Sequence, residues 1–289
     1  MADDAGLRHA VVDTGDVSLH YVERGAGPLV VLLHGFPDFW YSWSPQLRPL
    51  ADAGFRVAAP DMRGYNLSDK PRGVHAYRLD ALADDVAGFV HALGEERAHV
   101  VGHDWGGIVA WRVAHRHAEV VERVVVVNAP HPSAVPRAFL SPTQLARSWY
   151  ALFFQLPVLP ERVVAARRFA FVRRVLRAGA CSPHAFTDED VERYVEAAAR
   201  GDDLRHAIDY YRALTRANPL RPFGLDARVD APALVIWGER DIALEKRLAR
   251  PDPALVPGAR VEMLPDAGHW PHRDDPDRVN ELLIEFLSA

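Results

Sequence analysis

The sequence has one cysteine, two lysines and no long apolar run. A lone Cys181 excludes an internal disulfide and gives no sign of an oxidising compartment. Apart from Lys70 and Lys246, all basic residues are arginines, a bias most simply ascribed to GC-rich coding. Unbroken apolar stretches last only a handful of residues, far short of the roughly 18 that a membrane-crossing helix needs. An excess of positive charge is lacking too. The 34 basic and 39 acidic residues leave a formal charge of −5, which argues against a nucleic-acid or anionic-membrane partner. The acidic opening Met1-Ala2-Asp3-Asp4 leads into no apolar segment of the signal-peptide kind, so a cytoplasmic location is expected. His115, His117 and His131 lack metal-ligand spacing with carboxylates or cysteine, so neither a metal nor another cofactor is expected.

What is present is ample core. With 289 residues and 49% hydrophobic content, the chain suits one large domain, or a domain carrying an inserted lid. Short apolar runs alternate with helix-like stretches, which predicts an α/β fold with a mostly parallel central sheet and helices on both faces. Residues 17–22 alternate apolar and polar, as an edge strand would, whereas 29–33 are continuously apolar, as a strand buried on both faces would be. Further strands are expected at 56–59, 99–102, 123–127, 233–237 and 260–264, with helices at 79–93, 106–115 and 279–287. From 130 to about 222 the strand pattern stops. Helices are expected there at 143–154, 161–178, 188–199 and 202–217, and Thr187 with Asp190 three residues on resembles a capping box. So long an excursion exceeds a loop, so we expect a helical cap of 130–224 set into a core of 1–129 and 225–289. The arginines at 162, 167, 168, 173, 174 and 177 read as a solvated face.

The chemistry concentrates at the expected strand ends. Gly102-His103-Asp104-Trp105-Gly106-Gly107 lies between a strand and a helix, in the manner of a nucleophile elbow with aspartate in the serine position. The plainer reading of Asp104 is a helix cap. As a nucleophile, a carboxylate suits displacement at an sp³ carbon bearing a leaving group, and the resulting alkyl ester must then be hydrolysed. That second step needs a base, a group to orient it, and donors for an oxyanion. His269, in Gly268-His269-Trp270, follows the last strand and is the expected base; His103 and His272 are rivals. Asp241 follows the preceding strand and is the expected orienting acid, with Glu239 as its rival, while Asn128 after strand 123–127 cannot ionise. The Phe36 N–H, in His34-Gly35-Phe36-Pro37, and the Trp105 N–H are the expected oxyanion donors.

Together with Asp61-Met62-Arg63-Gly64-Tyr65 and Asn128-Ala129-Pro130-His131-Pro132, these motifs make nearly the whole chain resemble an epoxide hydrolase of the α/β-hydrolase superfamily. Asn66 departs from the pattern, in which glycine is frequent. The resemblance implies a helical cap, an Asp104 nucleophile, a His269–Asp241 pair and two cap tyrosines that activate the epoxide oxygen. It also implies a hydrophobic epoxide and water as the partners. Ring opening releases an alkoxide, and a phenol with a pKa of roughly 10 stays protonated at neutral pH yet can supply the proton. The run Trp149-Tyr150-Ala151-Leu152-Phe153-Phe154-Gln155 points to Tyr150, and Asp209-Tyr210-Tyr211-Arg212 points to Tyr211 in preference to Tyr210. The aromatic residues Phe39, Trp40 and Trp43 suggest either a hydrophobic substrate lining or core. Haloalkane and haloacetate dehalogenases share the aspartate and are the alternative. The former typically carry asparagine or another halide ligand where this chain has Phe36; the fluoroacetate enzymes carry arginine after the nucleophile and tryptophan at the Tyr150 position. A non-catalytic ligand-binding protein on the same fold is a more distant one.

Overall fold

A computed structural model of the chain describes residues 6–138, 140–200, 203–216 and 228–289. The apolar runs become β1 (Arg8–Asp13), β2 (Ser18–Arg24), β3 (Leu29–Leu33), β4 (Arg56–Pro60), β5 (Ala98–His103), β6 (Val121–Val127), β7 (Ala233–Gly238) and β8 (Arg260–Leu264). They form one sheet in the order β1-β2-β4-β3-β5-β6-β7-β8, in which β2 runs antiparallel to both its neighbours, β1 and β4, and the strands from β4 to β8 are mutually parallel. This is the mostly parallel α/β sheet that the alternating pattern predicts. The edge assignment is corrected: β2 is an inner strand, and β1, whose apolar run is only Ala10-Val11-Val12, forms the edge. The polar half of the 17–22 alternation misleads because His20 is buried, with Nδ1 2.7 Å from Asp61 and Nε2 3.1 Å from His9 on β1.

Helices α1 (Ser44–Asp52), α2 (Leu79–Ala92) and α3 (Trp105–Arg116) connect the parallel strands. The step from β3 to β4 runs one way along the sheet, and the step from β4 to β5 runs back past β3. Right-handed crossovers therefore put α1 on one face and α2 on the other. This reversal leaves a crevice beyond the carboxyl ends of β3 and β5, where open α/β sheets bind ligands. Both ends carry expected site residues: the His34–Pro37 loop and Asp104.

No strand occurs between β6 and β7 among the described residues. The chain instead runs through α4 (Val135–Ala138), α5 (Pro142–Arg147), α6 (Trp149–Phe153), α7 (Leu159–Gly179), α8 (Asp188–Ala198) and α9 (Asp203–Arg216). The single helix expected at 143–154 is divided at Ser148, and α7 leaves helical geometry from Ala166 to Phe169. The capping box is present at α8: Asp190 N donates to Thr187 Oγ1 at 3.1 Å and Thr187 N to Asp190 Oδ2 at 2.8 Å. The ends of the helix expected at 202–217 and the cap boundary at 224/225 lie outside the described residues. Beyond β8, α10 (Pro271–Asp274) and α11 (Pro276–Leu287) close the chain, and α11 packs on α1. No helix among the described residues is long and apolar enough to cross a membrane.

The helical insert is fastened to the sheet layer by buried polar bonds. The Tyr210 hydroxyl donates to the Arg63 carbonyl at 2.8 Å, and the Tyr77 hydroxyl lies 2.8 Å from His206 Nδ1. Arg63 is itself buried against Asp85, with Nε 2.5 Å from a carboxylate oxygen. The 61–65 motif thus holds the insert in place rather than touching the reacting centre.

Candidate active site

Asp104 sits between β5 and α3 with φ 50° and ψ −118°, a strained conformation for a residue with a Cβ. Such strain costs of order 1–3 kcal/mol and persists only where the surroundings enforce it. Here the neighbouring glycines make the turn possible: a Cβ on Gly106 would lie 2.2 Å from the Leu33 carbonyl oxygen, and one on Gly35 2.5 Å from Asp104 Cβ. The Asp104 side chain makes no cap bond to α3. It turns instead to the β3 loop, where its Oδ1 accepts from the Phe36 N–H at 2.9 Å. Trp105 opens α3, so its N–H is among those with no partner inside the helix.

The other Asp104 oxygen, Oδ2, lies 3.7 Å from His269 Nε2, beyond hydrogen-bond range. On its far side, His269 Nδ1 is 2.8 Å from Asp241 Oδ2. Ala243 N and Leu244 N donate to Asp241 Oδ1 at 2.6 and 3.0 Å, and Asn128 Nδ2 donates to Oδ2 at 2.6 Å. Burial alone would push the Asp241 pKa up, yet the His269 charge and these hydrogen bonds hold it below the ordinary carboxylate value. Burial likewise opposes the charged form of His269. The carboxylates outweigh it, Asp241 first and then Asp104 and Asp38, so its pKa is raised to about 9.

The rivals are placed elsewhere. Glu239 is engaged by Lys246 at 2.6 Å. His272 stacks on Trp43 at 4.4 Å, and burial drives its pKa well below the ordinary value. His103 donates from Nε2 to the His269 carbonyl at 2.8 Å, and its Nδ1 is 3.3 Å from Asp38. Asp38 also accepts from the Trp270 indole N–H at 3.1 Å. Asn128, Asp38 and His103 thus steady the residues on either side of the His269 ring. Sequence reasoning set Asn128 aside because it cannot ionise and gave Asp38 no role. The one signal available was that each follows a strand-end motif.

A cavity of about 470 Å³ opens over this group, and Asp104, His269, Tyr150 and Tyr211 all line it. A smaller cavity of about 110 Å³ adjoins and shares Asp104, Tyr150 and Tyr211. The rings of Tyr150 and Tyr211 are 5.8 Å apart, edge to face, and Tyr211 packs on Trp105 at 5.0 Å. Burial first, then the Asp104 and Asp241 charges, raises the Tyr150 pKa. Tyr211 is pushed well above the phenol value, again chiefly by burial. Both therefore remain protonated at neutral pH. Tyr210 lines neither cavity. Phe39, Trp40 and Trp43 are buried core and do not line the larger one.

The loop that carries Asp241 is bound to the insert by one face of α5. Ser141, Gln144 and Arg147, three residues apart, all reach it. Gln144 Nε2 donates to the Ala243 carbonyl and its Oε1 accepts from Glu245 N, both at 2.8 Å, while Arg147 donates to the Asp241 carbonyl at 2.8 Å. Ser141 Oγ donates to Glu245 at 3.0 Å. The arrangement presents a carboxylate held by an amide, two un-ionised phenols facing it, and an imidazole backed by an acid.

Comparison with known proteins gives a consistent neighbourhood. A family profile described as alpha/beta hydrolase fold matches residues 28–276. The chain is 39% identical over 285 residues to AB hydrolase superfamily protein YfhM of Bacillus subtilis, covering 98% of each protein. It is 37% identical over 279 residues to Epoxide hydrolase 1 of Caenorhabditis elegans, spanning 94% of this chain and 68% of that one. Among solved structures, the Bacillus megaterium epoxide hydrolase in complex with an inhibitor superposes with a TM-score of 0.88 at 30% identity, covering 98% of this chain and all of the other.

Proposed function

The chain belongs to the epoxide hydrolases of the alpha/beta hydrolase fold, and from that premise we propose that it adds water to a hydrophobic epoxide to give a vicinal diol, by way of an ester on Asp104. The observation that carries this reading is the meeting of two protonated tyrosines and the Asp104 carboxylate in one largely apolar cavity. A halide leaves without a proton, whereas an oxirane oxygen leaves as a strongly basic alkoxide and needs one.

In the first step Tyr150 and Tyr211 hold the ring oxygen while Asp104 Oδ2 attacks a ring carbon. The C–O bond of the ring breaks, and a phenol proton passes to the departing oxygen. Oδ1, already bonded to the Phe36 amide, becomes the ester carbonyl oxygen. In the second step His269 takes a proton from water, and the hydroxide attacks the ester carbon. The Phe36 and Trp105 amides stabilise the oxyanion; the ester C–O bond then breaks, the departing oxygen takes the proton held by His269, the acid proton left on Asp104 restores the phenol, and the diol leaves. Asp241 holds the imidazole in the required tautomer. Residues 130–224 act as a cap that supplies the acids, over a core of 1–129 and 225–289 that supplies the nucleophile and base.

One turnover in ¹⁸O-water tests the ester. The first diol should be free of label, with one heavy oxygen left on Asp104 by mass spectrometry of the 102–107 peptide. Label entering the diol directly, with none in the peptide, would exclude the ester. Release of chloride from a chloroalkane without any diol from an epoxide would turn the assignment to dehalogenation.

A further inference from the structure

Eleven large apolar side chains among the described residues are exposed, and eight of them lie between 140 and 163, led by Leu140 (84% exposed), Leu152 (66%) and Trp149 (55%). Contiguous exposed apolar residues on a globular protein mark a surface that meets something. Trp149 and the exposed Ile242 also line the larger cavity, so this surface borders the substrate site.

Its charge is equally uneven. Residues 140–180 hold seven arginines and a single carboxylate, Glu161, which is engaged by Arg212 at 2.6 Å. Coding bias accounts for arginine in place of lysine, but not for missing carboxylates; at the chain's average the segment would hold about five. Arg173 and Arg177 pair with Glu192 and Asp188, and Arg147 binds carbonyls. Arg162, Arg167, Arg168 and Arg174 are exposed and have no ion pair among the described residues. The formal −5 of the whole chain therefore conceals a positively charged segment, and the sum does not describe this part of the surface.

We propose that the α5–α7 edge of the cap docks on a lipid bilayer bearing anionic headgroups. Apolar side chains and the Trp149 indole enter the interface while the four arginines engage headgroup phosphates, and the cavity then faces the phase in which an apolar epoxide dissolves. Charge decides among the possible occupants. A second copy seated face to face would set these arginines against their own counterparts, whereas an anionic bilayer complements them.

The test uses the full chain and no substrate, so its outcome is separate from that of the catalytic reading. Protein is sedimented with vesicles of phosphatidylcholine alone, and of phosphatidylcholine mixed with phosphatidylglycerol. We expect co-sedimentation with the mixed vesicles, little with the neutral ones, and release at high salt. Each arginine at such a surface is worth about a fivefold gain in partitioning. The pair Arg167→Glu and Arg168→Glu should therefore weaken binding at least tenfold. Leu152→Ser with Leu156→Ser should also weaken it, with hydrolysis of a water-soluble epoxide retained. Failure of the parent chain to bind mixed vesicles, a measurement that needs no variant, would overturn the proposal. So would variants that bind like the parent, or a dimer in sedimentation velocity that Leu152→Ser with Leu156→Ser splits.

Discussion

The His269 ring lies between two carboxylates, Asp241 and Asp104, and in the proposed mechanism the second is consumed by the first chemical step. In the resting enzyme Asp241 and Asp104 outweigh burial and keep the imidazole protonated up to about pH 9. Under that proposal esterification would remove the Asp104 charge and with it part of the upward shift, releasing the base for the second step. Ester hydrolysis, followed in single turnovers, should rise with pH to a plateau whose apparent pKa lies below 9. Asp241→Asn should lower that pKa further and slow this step by about 10⁴. The same shift bears on stability. A histidine raised from its ordinary value contributes most below about pH 6.5 and loses that contribution as pH climbs through 9. Thermal midpoints should therefore fall more steeply between pH 6.5 and 9 in the parent than in His269→Gln. Tyr150→Phe and Tyr211→Phe should each slow ring opening by about 10²–10⁴ and leave hydrolysis of an ester already formed unaffected, as rapid quench would report. At this scale the sequence was legible wherever chemistry demands a residue type. That Asp104, His269 and Asp241 would meet was legible because the proposed chemistry asks for a group to attack, one to abstract a proton and one to orient the base. Asn128 was not, because its work is to donate hydrogen bonds, and that depends on a partner 113 positions away.

Among the elements, α5 joins two halves of the mechanism. It leads into the segment bearing Tyr150, and its Ser141–Gln144–Arg147 face grips the 241–245 loop. Gln144→Ala removes three part-buried hydrogen bonds, to Ser148, Ala243 and Glu245, of about 1 kcal/mol each, so a drop of roughly 3 kcal/mol in unfolding free energy is expected in denaturant titration. Because that loop also carries the acid, kcat should fall by more than KM rises; a change confined to KM would show that the grip serves substrate entry alone. Strands and long helices could be read from periodicity, since 29–33 and 79–93 bury what their patterns say they bury. The edge β1 could not, because its apolar run is only Ala10-Val11-Val12 and none of its residues is fully buried. Nor could the division at Ser148, where 143–154 keeps helical composition on both sides.

In the whole molecule, two helices of the insert are held unequally. Helix α9 is pinned through Tyr210 to Arg63 and through His206 to Tyr77. Helix α7 is interrupted from Ala166 to Phe169 and exposes much of its length. Amide hydrogen exchange should accordingly be slower in 203–216 than in 159–170, and Tyr210→Phe should speed it in the former. Equal protection in the two segments would contradict this asymmetry. The insertion as a whole was legible from the absence of strand patterning over some ninety residues, but its attachment was not, because the anchoring partners come from loops far away in the chain.

Tyr210 and Tyr211 are neighbours on one helix, the first a rivet and the second, in the proposed mechanism, a working acid. A protein built this way cannot swing that side of its roof open without carrying the acid off station. In the proposed reaction, epoxide and diol passing beside Thr143 and Trp149, which line the same cavity, would leave that rivet undisturbed.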